Sequence, residues 1–398
     1  MSCAYTTRRY AEYHITIVWT MESNAPTTRV IDLKKFYEKA GNNPIFTREV
    51  LEKARRAIWL VKMTVSAVTL IDAFGNEVRD MLGRRSHEDI KNAGLLYNAH
   101  HILADDDAGA KNTVDCHDEE ATNEWLSHRQ FPIFVQYLQN GRTGRIPDWL
   151  PFGSSKVTAL ACLEHWGASL EREALVKGLQ KMKETATVIN IICIGNGNVR
   201  STQDRPSLES CLQHFAAVTV AEELERIYLA AGTQTSGPIK VFAQDPSYTL
   251  QCGKILDSLD LSHSITILED PDAFLAIDSG SLIFSCCPGV PVKQIVGDLA
   301  TEDPSKCPAA LFWTRSLPEE FQALEKFEVS TTGFHFDDGL LSYHLCDPTS
   351  RRMEELMGQF ELLISDPEWE IRDPEARPLA FHWWTDSDLW ARRKKAAI

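Results

Sequence analysis

No stretch of the 398 residues approaches the run of about 18 apolar side chains that a membrane helix requires. No membrane contact is therefore expected. Positive charge is also scarce: 41 Lys+Arg stand against 56 Asp+Glu, for a formal charge of −15. A field of that sign repels phosphate backbones and excludes a broad nucleic-acid surface. The 10 cysteines show no repeated spacing and no C-x-x-C pair, which leaves neither a disulfide framework nor a structural zinc site. A G-x-S-x-G elbow, an H-E-x-x-H helix, a phosphate loop and a kinase motif set are all missing. What the chain does have is 43% hydrophobic residues and enough length for a large core.

Arg8 and Arg9 precede a short apolar stretch from Tyr13 to Met21, but no small-residue cleavage site follows, so it is read as a leader without a secretory role. Met21, followed by Glu22-Ser23-Asn24, is an alternative start. The location expected is cytoplasmic. Arg392, Arg393, Lys394 and Lys395 form the dense basic run and add a nuclear reading.

Three regions follow from the patterning. Residues 1–30 read as a flexible tail. Residues 31–150 read as an N-terminal extension with helices at 32–41 and 47–62, the second capped by Thr47 and striped by Val50, Leu51, Ala54, Ala57, Ile58 and Val61. Its β-rich stretch Val65–Phe74 ends at a Gly75-Asn76 turn. Residues 104–120 carry seven acids and one lysine and read as a solvated loop. His100, His101, Cys116 and His117 near it lack metal-ligand spacing. A Gly/Pro-rich stretch from Asn140 to Gly153 marks a boundary, and residues 151–398 form the main domain. That domain opens on a helix predicted to run from Ser154 to Glu184, burying Val157, Leu160, Leu163, Leu170, Leu175, Leu179 and Met182.

From Val188 onward strands and helices alternate. Apolar runs at 188–194, 239–243, 264–268, 281–285 and 309–313 read as strands, with helices at 207–231, 248–259, 272–277 and 291–299 between them. The fold class expected is α/β: a Rossmann-like, doubly wound, mainly parallel sheet in the order 3-2-1-4-5. Phe327–Phe336 and Leu340–Leu345, flanking Asp337-Asp338-Gly339, are read as an antiparallel hairpin that extends it. Arg351–Leu363 reads as a last helix, and Trp369, Trp383, Trp384 and Trp390 as packing anchors.

Ligands of such sheets bind beyond the strand ends where the strand order reverses. Gly195, Asn196, Gly197 and Asn198 would then face Cys286 and Cys287 across a crevice, with Asp245, Glu269 and Asp270 on neighbouring strand ends. The glycines admit a ligand close to the backbone, and Asp245 would accept two ribose hydroxyls. Arg200 stands where a dinucleotide fingerprint needs a third glycine, and the helix opens late, so a nucleoside without pyrophosphate, such as S-adenosylmethionine, fits better than a dinucleotide. Cys287-Pro288 is a Cys-Pro pair of the type that can give a thiolate to haem iron.

The run Cys193-Ile194-Gly195-Asn196-Gly197-Asn198, then Gln213, then Val241-Phe242-Ala243-Gln244-Asp245-Pro246, resembles the SRR-like (sensitivity to red light reduced) domain over residues 188–315. Gln244 replaces the family's tyrosine, Cys211 its helix arginine, and Ser285-Cys286-Cys287-Pro288 its Met-Pro-His-Cys-type segment. The N-terminal part resembles a fungal-type extension. The resemblance implies a regulatory or signalling protein with protein partners: light and circadian signalling in plants, haem biosynthesis in animals and cytoskeletal phenotypes in yeast, with no assigned reaction. The alternative carried by the crevice itself is an S-adenosylmethionine-dependent methyltransferase-like enzyme.

Overall fold

The computed structural model describes residues 28–65, 67–81, 93–104, 130–137, 152–200, 208–233, 237–286, 288–316, 326–330, 347–365, 382–385 and 387–394. Residues 1–27 of the expected tail, the acidic loop beyond Ala104, Cys287, the second hairpin arm, Trp369 and Lys395 lie outside them.

The N-terminal region contains β1 (Thr28–Asp32), α1 (Leu33–Lys39), α2 (Arg48–Lys62), β2 (Ala67–Ile71), β3 (Glu77–Met81), β4 (Ala93–Tyr97), α3 (His100–Leu103) and β5 (Ile133–Tyr137). As the stripe and cap require, Thr47 accepts a hydrogen bond from Val50 N and all six stripe residues are buried. β2 pairs with β3 and β4 with β5, both antiparallel.

The main domain begins with α4 (Phe152–Gly167), α5 (Leu170–Leu179) and a 3-10 turn at Gln180–Glu184. The predicted single helix is thus broken at Ala168-Ser169, where the Ser169 hydroxyl caps α5 by accepting from Arg172 N at 3.1 Å. The break rotates the buried face. Ser155, Ala159, Cys162 and Trp166 turn inward on α4, while Val157, Leu160 and Leu170 are exposed; Leu175, Leu179 and Met182 are buried as the pattern requires.

There follow β6 (Asn190–Ile194), α6 (Leu208–Ala230), β7 (Lys240–Gln244), α7 (Leu250–Asp257), β8 (Ile265–Ile267), α8 (Asp272–Ala276), β9 (Ser281–Ser285), α9 (Val292–Glu302), β10 (Ala310–Thr314), β11 (Lys326–Ser330), α10 (Arg351–Met357), β12 (Phe360–Ile364), α11 (His382–Thr385) and β13 (Ser387–Arg392). The seven-stranded sheet runs β8-β7-β6-β9-β10-β13-β12. Its five strands from β8 to β10 are parallel, and β13 and β12 add antiparallel to that end.

The antiparallel extension therefore comes from other residues than expected. β11, the first arm of the predicted hairpin, pairs with β1 instead. The last helix stops at Met357, and after Gly358 the chain turns into β12. The expected tail also ends three residues early, because Thr28 to Val30 belong to β1.

The period of two in the strands divides the core into two faces. Ile191 and Cys193 of β6, Leu282 and Phe284 of β9, and Phe312 of β10 pack with α4 to α7. Ile192, Ile194, Ile283, Leu311 and Trp313 pack on the opposite side with α8, α9 and α10, and that core continues without a break into α2, β2, β4 and β5 of the N-terminal region. Trp383 and Trp384 close the first face as anchors: their rings meet at 5.4 Å, and Trp166 stands 6.1 Å from Trp384 while its indole N–H donates to Thr219 at 2.9 Å. Among the described residues no helix is long and apolar enough to cross a membrane.

The N-terminal region is further tied down by one carboxylate. Asp298 of α9 is fully buried and accepts from Ile45 N at 2.8 Å, Phe46 N at 2.9 Å and Arg352 Nη1 at 3.0 Å, with His100 Nε2 at 3.3 Å. Arg352 also reaches back to the carbonyls of Asn42 and Asn43.

Candidate functional site

β6 is flanked by β7 on one side and β9 on the other, so strand order reverses there. The ends of β6 and β9 are laced together by Ser285, whose hydroxyl donates to the Ile194 carbonyl at 2.8 Å. Gly195 (φ +74°) and Gly197 (φ +75°) then turn the chain out of the sheet through the left-handed region. A side chain at Gly195 would stand 3.0–3.1 Å from Pro288, so the loops after β6 and β9 do meet across the crevice.

Most polar groups of this loop cluster hold the turn itself. Asp245 is buried; Oδ2 accepts from Gly197 N at 2.8 Å, and Oδ1 accepts from the amide and hydroxyl of Ser247 at 2.8 and 2.5 Å. Burial raises its pKa, and those hydrogen bonds from Ser247 and Gly197 oppose the rise. Asn198 donates to Ser247 O at 2.8 Å, while its Oδ1 accepts from Arg200 N at 2.7 Å and from the Cys252 thiol at 3.2 Å. Cys286 is buried in the core with α4 to α7, its sulfur 3.3 Å from the Ser387 hydroxyl, whose proton goes to the Trp383 carbonyl at 2.6 Å.

Two side chains at the mouth of α6 were not among the expected set. His214 is fully buried, with Nδ1 donating to Ser210 O at 2.5 Å and Nε2 accepting from Tyr248 at 2.5 Å. A carbonyl can only accept, which fixes the tautomer. Burial lowers the His214 pKa to about 4, so the ring is neutral at physiological pH. Among the described residues, Gln213 beside it is buried with Oε1 unpartnered, and Asn196 has no hydrogen-bond partner on either amide atom apart from the weak contact of the Cys193 thiol. The sequence offered Gln213 through the family resemblance; nothing in its pattern marked His214 or Tyr248.

Glu269 and Asp270 are both engaged by side chains of the N-terminal region. Exposed Glu269 pairs with Lys62 of α2 at 3.0 Å, and Asp272 pairs with Arg55 at 3.2 Å. Asp270 Oδ1 accepts from the Tyr97 hydroxyl of β4 and from Gln244 Nε2 at 2.9 Å. Burial, with Asp245 and Asp272 nearby, raises the Asp270 pKa to about 7 against the opposing Tyr97 hydrogen bond. The basic run near the C-terminus is likewise partly structural: Arg392 donates to Ser279 O at 2.7 Å and Lys394 to Lys183 O at 3.2 Å. Among the described residues, no group of three or more His, Cys, Asp or Glu is arranged to hold a metal ion.

Residues 175–323 match the family model of the SRR1 domain. No curated protein matches. A solved structure from Thermobifida fusca, provisionally named a methyltransferase, is similar at 16% identity over 57% of this chain and 80% of that one, with a TM-score of 0.28. A likeness of that size carries no functional argument.

Proposed function

We propose that this chain, which carries an SRR1 domain over residues 175–323, is a regulatory protein that binds a small effector at the strand-order reversal and performs no reaction on it. The observation that carries the reading is the state of the crevice's polar groups. The carboxamides of Asn196 and Gln213 are buried with hydrogen-bonding capacity left over, whereas both nitrogens of neutral His214 are engaged. Buried polar atoms without partners cost stability, and a ligand that satisfies them recovers it. That arrangement suits recognition rather than proton transfer. The ligand-facing set is Gly195, Asn196, Gly197 and Gln213. Asn198 and Asp245 shape the turn; Glu269, Asp270, Cys286 and Cys287 are the remaining members of the set expected from sequence.

The methyltransferase alternative needs Asp245 to accept the ribose hydroxyls of S-adenosylmethionine, and its oxygens already hold Gly197 and Ser247. The haem reading rests on Cys287. Protein partners and a cytoplasmic location belong to the regulatory reading.

Calorimetric titration of the full chain with S-adenosylmethionine, its demethylated product, haem and NAD tests the proposal. Saturable binding of one of these, weakened about tenfold in Asn196→Ala and unaccompanied by turnover, is the expected result; a lost hydrogen bond of about 1–1.5 kcal/mol gives that factor. Release of S-adenosylhomocysteine on incubation with S-adenosylmethionine would replace the regulator by the enzyme. Binding unchanged in Asn196→Ala would place the ligand elsewhere.

A further inference from the structure

Three backbone N–H groups of the turn after β6 are spent within the protein. Gly195 N donates to the Gln244 carbonyl at 3.0 Å, Gly197 N to Asp245 Oδ2 at 2.8 Å, and Arg200 N to Asn198 Oδ1 at 2.7 Å. A phosphate cradle needs such donors free and converging on the anion. What the turn leaves open is a pair of carboxamides. Asn196 is 2% exposed and Gln213 6%. Among the described residues, Asn196 Nδ2, Asn196 Oδ1 and Gln213 Oε1 have no hydrogen-bond partner beyond the weak contact of the Cys193 thiol with Asn196. Both side chains belong to the junction of the turn with α6. A side chain at Gly197 would run into Ser210 Oγ, and Gln213 stands one turn further along the same side of that helix. The Cys193 thiol beside Asn196 lies on the sheet face that α6 covers.

We infer that these two carboxamides read a primary amino group standing beside an acceptor atom in the plane of the effector. This rests on the effector reading above and names the chemistry of the ligand. Together the carboxamides present one donor group and two acceptors, so the matching edge supplies one acceptor and two N–H donors. An NH2 group next to a ring nitrogen or a carbonyl oxygen has that set. One N–H goes to Asn196 Oδ1 and the other to Gln213 Oε1. The neighbouring acceptor takes Asn196 Nδ2, in the bidentate pairing that asparagine makes with adenine. Adenine, cytosine and a primary carboxamide such as that of nicotinamide all carry this edge. Replacing the NH2 by oxygen separates the two roles. Asn196 can still pair with the C=O and N–H of an oxo base, since it carries both a donor and an acceptor. Gln213 Oε1 then faces a carbonyl lone pair where it had an N–H. Preference for the amino edge therefore lies in Gln213, and affinity for either edge in Asn196.

Calorimetric titration of the full chain with adenosine, cytidine and nicotinamide tests the assignment, each run beside the counterpart with oxygen for the amino group: inosine, uridine or nicotinic acid. At least one amino ligand should bind about tenfold or more tightly than its counterpart, because the oxygen leaves a buried acceptor unpaired. That preference should largely vanish in Gln213→Leu, and Asn196→Ala should weaken the amino ligand about tenfold. The urea midpoint without ligand should not fall in Gln213→Leu, since an unpaired buried acceptor is exchanged for an apolar group of similar size. Equal binding of amino and oxo ligands, a preference that survives in Gln213→Leu, or a lowered midpoint in that variant would each overturn the inference. If all six ligands fail while haem binds and loses affinity in Asn196→Ala, the effector reading stands and this one falls. If neither these six nor haem binds, both fall.

Discussion

Asp298→Ala is expected to be the most damaging single substitution, costing about 3–5 kcal/mol, because it removes one partner of a buried charge cluster and strands the others. The carboxylate has no exposure and serves two backbone amides of the 45–46 segment, the Arg352 guanidinium and the His100 ring at once. Burial alone would raise its pKa. His100, Arg352 and the Phe46 amide outweigh that and hold it below the ordinary carboxylate range. The sign is therefore that of a depressed acid: its contribution is complete above the unfolded value near 3.8 and disappears as pH falls through the lower folded value. A urea midpoint that drops sharply at pH 7, with the difference from wild type shrinking at pH 3 or below, is the expected pattern. A loss under 1 kcal/mol at pH 7 would show that the N-terminal region is held by its apolar stripe alone.

Gly195→Val should follow closely, with a loss of about 2–5 kcal/mol. At φ +74° a β-branched residue meets backbone strain of about 1–2 kcal/mol, and its Cβ would press on Pro288 at 3.0 Å, adding an overpacking cost of about 1–3 kcal/mol. Gly232→Ala is the control, since φ there is +64° and nothing lies within 4 Å of the added carbon. It should show the strain without the clash, about 1 kcal/mol in the same thermal or urea measurement. Equal losses in the two variants would mean that the loops after β6 and β9 do not press on each other.

The parallel strands were readable because a strand covered on both faces must be apolar throughout, and Ile191 to Ile194 satisfy one layer with odd positions and the other with even ones. The antiparallel additions were less visible. Phe360–Ile364 follows a helix after two residues, and its apolar spacing fits the helix about as well as the strand; Gly358 was the signal for the stop. The face of α4 was misread because its buried stripe is built from Ser155, Ala159 and Cys162, small residues that allow close approach to α6, while the larger Val157 and Leu160 point outward. At the crevice, the sequence supplied the glycines and the acids but not what the acids do. Whether Asp245 greets a ribose or braces Gly197, and whether Glu269 and Asp270 look toward the crevice or toward Lys62 and Tyr97, depends on contacts spanning from about 50 to over 200 residues of chain. Local pattern carries no record of such partners.

The recognised stretch ends at 323, but the sheet does not respect that limit. β10 obtains its outer neighbour from β13, more than 60 residues past it, and the apolar side chains Ile192, Ile194, Leu311 and Trp313 share a core with α2, β2 and β5 from well before it. A fragment cut at the edges of the match would present a bare, fully apolar parallel strand to every other copy in solution, and would leave one broad greasy face wet. Expressed alone, such a fragment should pair edge to edge and come out of the cell as insoluble material. Fragments for binding work should keep everything from Thr28 through Arg392.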